Sequence, residues 1–270
     1  MLDATFESME GGRRLRVARL GSGPPLVLLH GYPDNLQIWS AVAPSLADRF
    51  EVIAFDWPGM GYSDAWPGGA SPFQMANRLL ALLDLWGIRR ATLAGIDMGG
   101  QPALVFAALH PERTAGLVVI NSLVLWDEVT SWEIALLRRF QLNRLIIRHF
   151  PRIVFYRAER TFLPPGVSLP PELRNDLWGC FQRVEVRKFI SRMCAGYQAT
   201  LPRLPELYSR ISCPTLILWG ESDQHFPPAH GERLHRAISG SQLTIVPRAE
   251  HWMVWYLAGE VASAIRAFQS

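Results

Sequence analysis

The run Ala91-Thr92-Leu93-Ala94-Gly95-Ile96-Asp97-Met98-Gly99-Gly100 restricts the fold of this chain more than any other stretch. It starts as a short apolar strand, passes through a Gly-x-Asp-x-Gly turn, and continues as a helix through Ala103 to Leu109. A strand that turns at once into a helix and holds one side chain at the tip is a nucleophile elbow. The flanking glycines permit positive φ and a close backbone approach that a Cβ would block. Such an elbow belongs at the carboxyl edge of a buried sheet, where open α/β sheets bind their ligands. The tip residue, Asp97, is a carboxylate where an elbow usually carries a hydroxyl. With an unperturbed pKa of about 3.9 it is ionised at neutral pH. It is a weak nucleophile suited to displacement at saturated carbon, where an epoxide oxygen or a halide leaves.

The rest of the chain repeats the strand–helix rhythm that marks a mostly parallel sheet covered on both faces. Short apolar runs predict strands at Leu15–Leu20, Leu26–His30, Val52–Asp56, Thr92–Ile96, Gly116–Asn121, Thr215–Gly220 and Leu243–Pro247. Ser71-Pro72-Phe73-Gln74 opens a helix that ends near Trp86-Gly87: a serine cap, proline at the first helical position, glutamine at the third. Between Ser122 and Arg210 the rhythm changes to helical stretches (Trp132–Phe150, Glu172–Phe181, Val186–Tyr197) broken by Pro164-Pro165-Gly166 and Pro170-Pro171. Strand–helix alternation resumes at Cys213-Pro214-Thr215. The expected organisation is an α/β core from 1–121 and 211–270, with a helical cap over 122–210 inserted after the strand that ends at Asn121.

A chain of 270 residues, 49% hydrophobic and 19% charged, buries one large core and carries one insertion. The net charge of +3 comes from scattered arginines, densest at Arg138-Arg139, Arg144 and Arg148, and reads as a solvated helix face rather than a nucleic-acid surface. Cys180, Cys194 and Cys213 have neither metal spacing nor the even count of a disulfide framework, so no metal or cofactor is expected. The N-terminus lacks a basic segment followed by an apolar one, and no apolar run approaches spanning length, so the expectation is a cytoplasmic protein without a membrane partner, a monomer or homodimer. The many tryptophans suggest an apolar pocket for a small organic substrate.

A nucleophile needs partners, and the loops after later strands offer them in order. Gly220-Glu221-Ser222-Asp223-Gln224-His225 carries an acid, and Arg248-Ala249-Glu250-His251-Trp252 carries a histidine. His30-Gly31-Tyr32-Pro33 follows a buried strand and offers a backbone N–H to an oxyanion. Asp56-Trp57-Pro58-Gly59-Met60-Gly61 follows the next strand as a glycine-punctuated turn. Within the acid loop Glu221 rivals Asp223, and Asp223 also reads as a turn-forming Asx residue.

In this order of nucleophile, acid and histidine the chain resembles the α/β-hydrolase superfamily over its whole length except the cap. The aspartate at the elbow resembles the epoxide hydrolases and the haloalkane and haloacetate dehalogenases. The resemblance implies that Asp97 is the nucleophile, His251 the general base for water, and Asp223 the residue that orients His251. It also implies an oxyanion hole from the amides of Tyr32 and Met98. An acid after the strand at Thr215–Gly220, with Asn121 ending the sixth strand of the family pattern, fits the epoxide-hydrolase arrangement.

The chain departs from each subfamily. Met98 stands where haloalkane dehalogenases place a halide-holding tryptophan, and Tyr32 where many of them place asparagine. Met98 and Gln101 occupy the places of the arginines that clamp a haloacetate carboxylate. The resemblance to epoxide hydrolases implies proton donors in the cap. Tyr197 lies where the second cap tyrosine is expected, and His149 and Tyr156 are alternatives for the first. Epoxide hydrolysis to a diol is the leading reading, a hydrolytic dehalogenase the alternative, and a non-catalytic ligand-binding relative the third.

Overall fold

A computed structural model describes residues 1–139 and 141–268. Among them, eight strands form one sheet: β1 (Ala4–Ser8), β2 (Arg14–Leu20), β3 (Pro25–Leu29), β4 (Glu51–Phe55), β5 (Ala91–Ile96), β6 (Thr114–Ile120), β7 (Thr215–Gly220) and β8 (Gln242–Val246). Their order across the sheet is β1-β2-β4-β3-β5-β6-β7-β8. β2 is antiparallel to β1 and β4, and every other neighbouring pair is parallel. This is the predicted α/β-hydrolase fold. β1 was not anticipated: it is an edge strand with no buried residue, so no apolar run announces it.

The chain leaves β3 towards β4 on one side, and β5 lies on the other. Connections therefore diverge between β3 and β5, and a crevice opens at their carboxyl ends. The loop His30–Pro33 and the elbow at Asp97 meet there. β5 is buried at all six positions, as expected of a strand covered on both faces. The helix Pro72–Leu85 carries the predicted reciprocal cap between Ser71 and Gln74.

Between β6 and β7 the chain runs through helices at Trp132–Arg139, Gln141–His149, Pro151–Phe162, Pro171–Phe181 and Val184–Thr200. The predicted helix 132–150 is helical over its described parts, Trp132–Arg139 and Gln141–His149; Phe140 lies outside the described residues. The helix Pro151–Phe162 was not anticipated, although Pro151 stands at its start, where a missing N–H costs nothing.

A polar cluster ties this cap to the sheet. Arg16 of β2 donates to both oxygens of Asp176 (3.1 and 2.9 Å) and lies 3.6 Å from Asp56. Asn35 adds hydrogen bonds to Asp176 (2.6 Å) and to the Cys180 sulfur (2.9 Å). Among the described residues no helix is long and apolar enough to cross a membrane.

Candidate active site

Asp97 sits in the left-handed region at φ 52°, a conformation that costs a non-glycine residue energy and is kept only where surrounding contacts hold it. Those contacts are present: its N–H donates to the Asn121 carbonyl (3.1 Å), and its own carbonyl accepts from the Ser122 hydroxyl (2.5 Å). The elbow glycines are there for space. A Cβ on Gly95 would lie 2.5 Å from the Gly99 carbonyl oxygen, and one on Gly99 2.3 Å from that of Leu29.

The two carboxylate oxygens of Asp97 have different neighbours. Oδ1 accepts the Tyr32 backbone N–H at 3.1 Å. Oδ2 lies 3.4 Å from His251 Nε2, an ion-pair distance. On the far side of the imidazole, Nδ1 is 2.7 Å from Asp223 Oδ2. Asp223 Oδ1 accepts the N–H groups of His225 (2.8 Å) and Phe226 (3.1 Å), which fixes the carboxylate plane. All three side chains are buried. Met98, next along the elbow, is buried as well.

Burial opposes a charged imidazole, but Asp223 and then Asp97 outweigh it and hold His251 up at about 10. For Asp223 burial pushes the other way too, and the charge and hydrogen bond of His251 prevail, so its carboxyl lies below the usual range. The two neighbouring acids thus favour the protonated form of His251.

The structure brings Asp97, His251, Asp223 and Tyr32 together, and it sets Glu221 aside. That carboxylate is exposed and accepts the Arg248 backbone N–H (2.9 Å). Asn121 serves as a brace: its side chain donates to the His251 carbonyl (2.9 Å) and accepts the Gly220 N–H (2.8 Å), joining the acid and histidine loops.

Of the proposed cap donors only Tyr197 reaches the site. It is buried, and burial raises its phenol well above its ordinary value, with Cys194 and Asp97 adding to the rise and neighbouring Gln101 opposing it. His149 and Tyr156 do not. His149 is exposed at the end of its helix, and Tyr156 is 57% exposed, its ring beside Arg160. The face of Pro151–Phe162 that turns inward carries Phe155, Ala158, Thr161 and Phe162 instead.

Two contributors escaped the sequence reading. The Tyr32 side chain, not counted as a donor in the sequence, is partly buried near Cys194, Tyr197 and Asp97, and desolvation and those neighbours raise its phenol. Phe162 of the cap packs on His251, ring centroids 4.3 Å apart. An apolar cavity of about 210 Å³ runs under the cap, its walls including Tyr32, Ile134, Leu137, Val154, Phe162 and His225. Glu133 and Arg157, also in its wall, neutralise each other at 2.6 Å.

The sheet topology and the order of the loops are those of an α/β hydrolase. The chain belongs to the alpha/beta hydrolase fold family, whose model matches residues 24–256. It is 30% identical to a 2-hydroxy-6-oxononadienedioate/2-hydroxy-6-oxononatrienedioate hydrolase of Klebsiella pneumoniae, covering 91% of this chain and 88% of that protein. It is 31% identical to a dihydrolipoyllysine-residue acetyltransferase component of an acetoin cleaving system from Pseudomonas putida, over 96% of this chain and 67% of the relative. Among solved structures it resembles a thermophilic esterase from Thermogutta terrifontis, with a TM-score of 0.81 and 27% identity, covering 99% of this chain and 98% of that one.

Proposed function

We propose that this hydrolase acts on small apolar electrophiles through an alkyl ester of Asp97, and that its reaction is the opening of an epoxide to a diol. One observation carries the reading: the elbow carboxylate has one oxygen on the Tyr32 amide and the other facing His251 Nε2, which in turn is backed by Asp223. The oxygen facing His251 is left to attack. The other already sits against an oxyanion donor, so the donor needs no rearrangement when charge develops there.

In the first half-reaction Asp97 Oδ2 forms a bond to an epoxide carbon, the carbon–oxygen bond breaks, and the leaving oxygen takes the Tyr197 phenol proton. Alkylation removes the Asp97 charge, one of the two that hold His251 protonated. His251 then releases its proton, which restores the phenol, and becomes a base. In the second half-reaction water gives a proton to His251 and attacks Cγ of Asp97. The oxyanion rests on the Tyr32 amide, a contact of a kind worth roughly 2.7–4 kcal/mol. Collapse breaks the Cγ–Oδ2 bond, the leaving alkoxide takes the remaining proton of the added hydroxyl, and the diol departs with water's oxygen left in the Asp97 carboxylate and His251 as imidazolium.

The apolar cavity supports an uncharged substrate, since among the described residues its one carboxylate and one guanidinium are spent on each other. The hydrolase and esterase relatives support hydrolysis as the reaction class.

The test is a single turnover in heavy-oxygen water, with intact-mass measurement of His251→Gln exposed to epoxide and haloalkane panels. The diol from the first turnover should carry ordinary oxygen, and the variant should accumulate an epoxide adduct on Asp97. Heavy oxygen in that first product would overturn the nucleophile. Brisk halide release with no epoxide adduct would make the enzyme a dehalogenase.

A further inference from the structure

His225 lies two residues past Asp223, is buried, and belongs to the cavity wall. Its imidazole holds two segments of the cap. Nε2 is 2.8 Å from the Thr161 hydroxyl at the end of Pro151–Phe162, and Nδ1 is 3.0 Å from the Ser131 hydroxyl at the start of Trp132–Arg139. The backbone adds to the clamp, because Ser131 N–H donates to the His225 carbonyl (3.2 Å).

The protons can be assigned by following the donors. The Thr161 hydroxyl spends its single proton on the Arg157 carbonyl (2.9 Å), so it accepts from His225 Nε2–H. The Ser131 oxygen accepts the Ile134 N–H (3.4 Å) as a helix cap, and its proton is free for Nδ1. The imidazole is thus neutral, with its proton on Nε2 and its lone pair on Nδ1. Burial first, then the nearby charge of His251, drive its pKa down to about 4 despite Asp223, Glu133 and Asp97, in agreement with that assignment.

The other end of the clamp is the acid itself, since His225 N–H donates to Asp223 Oδ1 at 2.8 Å. One residue further along the cap, the Phe162 carbonyl accepts the Trp252 N–H (2.9 Å), and its ring stacks edgewise or tilted on His225 (4.7 Å), His251 (4.3 Å) and Trp252 (5.0 Å). A contact made in the cap therefore ends on the acid and base loops at once.

We infer that His225 is a positioning residue that couples closure of the cap to the alignment of the Asp223–His251 pair, acting as the neutral Nε2–H tautomer held by Thr161 and Ser131. Substrate lodged against Thr161, Phe162 and His225 bears on the same wall that holds the base aligned. The catalytic part of this inference rests on the Asp97 ester reading; the tautomer and the clamp do not.

Two measurements test it. Nitrogen-15 NMR of histidine-labelled protein should show His225 neutral and protonated on Nε2 at pH 7. The proton on His251 Nδ1 should shift in Thr161→Val and return in Thr161→Ser. In single turnovers Thr161→Val should slow hydrolysis of the alkyl-enzyme about tenfold, the scale of one buried hydrogen bond, and slow alkylation less than twofold. Thr161→Ser should be near wild type, and Thr161→Val with His225→Gln no slower than the worse single variant. A charged or Nδ1–H imidazole, or a His251 signal indifferent to Thr161, overturns the clamp. Equal slowing of both half-reactions overturns its link to the base. If no electrophile alkylates Asp97, the functional reading falls and the NMR result still decides the clamp.

Discussion

Replacing Asp223 with asparagine should separate the two half-reactions cleanly. Asp223 Oδ1 receives two backbone N–H groups at 2.8 and 3.1 Å, and these require an acceptor. The asparagine oxygen must stay there, so its NH2 faces His251 Nδ1. An NH2 group donates, and Nδ1 must then turn a lone pair towards it. The imidazole proton is driven to Nε2, the nitrogen that faces Asp97 at 3.4 Å and has to collect water's proton. The base is lost through the wrong tautomer, and its contribution of roughly 10²–10⁴-fold goes with it. Alkylation is spared, because Nε2 already carries a proton in the free wild-type enzyme, where His251 is held up at about 10. Rapid-quench kinetics with mass detection of the adduct should show a burst at nearly the wild-type rate and then a stall. Equal loss of both steps would refute the argument. Glu221→Gln, which touches only an exposed Arg248 amide contact, should change neither step; a larger effect there than at Asp223 would make Glu221 the acid.

The pH dependence of stability follows from His251. Its pKa rises on folding from 6.5 to about 10, so its contribution is full below about 6.5 and is lost as pH rises towards 10. Melting temperatures across that window should fall more steeply in wild type than in His251→Gln, and parallel curves would contradict the assignment. Gly31→Ala places a Cβ 2.4 Å from Asp97 Cβ and Oδ1. Moving the nucleophile by about 1 Å costs on the order of 10²-fold, so alkylation should drop to that extent, and an unchanged burst would show that Asp97 is not the attacking group. Tyr197→Phe should slow alkylation by epoxides roughly 10²-fold or more while hydrolysis of a preformed ester keeps its rate. Arg16→Met strands Asp176 and should cost about 3 kcal/mol, read by denaturant unfolding. A loss below about 1 kcal/mol would mean that the cluster does not anchor the cap.

The elbow, the acid loop and the histidine loop were legible in the amino-acid order because each is a local device. Gly95-Ile96-Asp97-Met98-Gly99 specifies its turn within five residues, and the spacing of strands and loops specifies the parallel sheet that aligns those turns at one edge. Asp223 and Glu221 both lie in one short loop, and only the packed fold shows that Asp223 turns inward to His251 while Glu221 faces solvent. The cap was legible as helical but not in its orientation. A helix pattern gives the relative positions of Tyr156, Thr161 and Phe162, yet which of them meets Asp97's surroundings depends on how the cap sits on the sheet, through contacts such as Arg16–Asp176 and Trp252–Phe162. The same is true of Tyr32, whose phenol lies near Tyr197, 165 positions away in the chain, only in the folded protein. Turn geometry and periodicity are written in neighbouring residues; partners brought together by closure are not, because their contact energy belongs to surfaces that do not exist until the chain is folded.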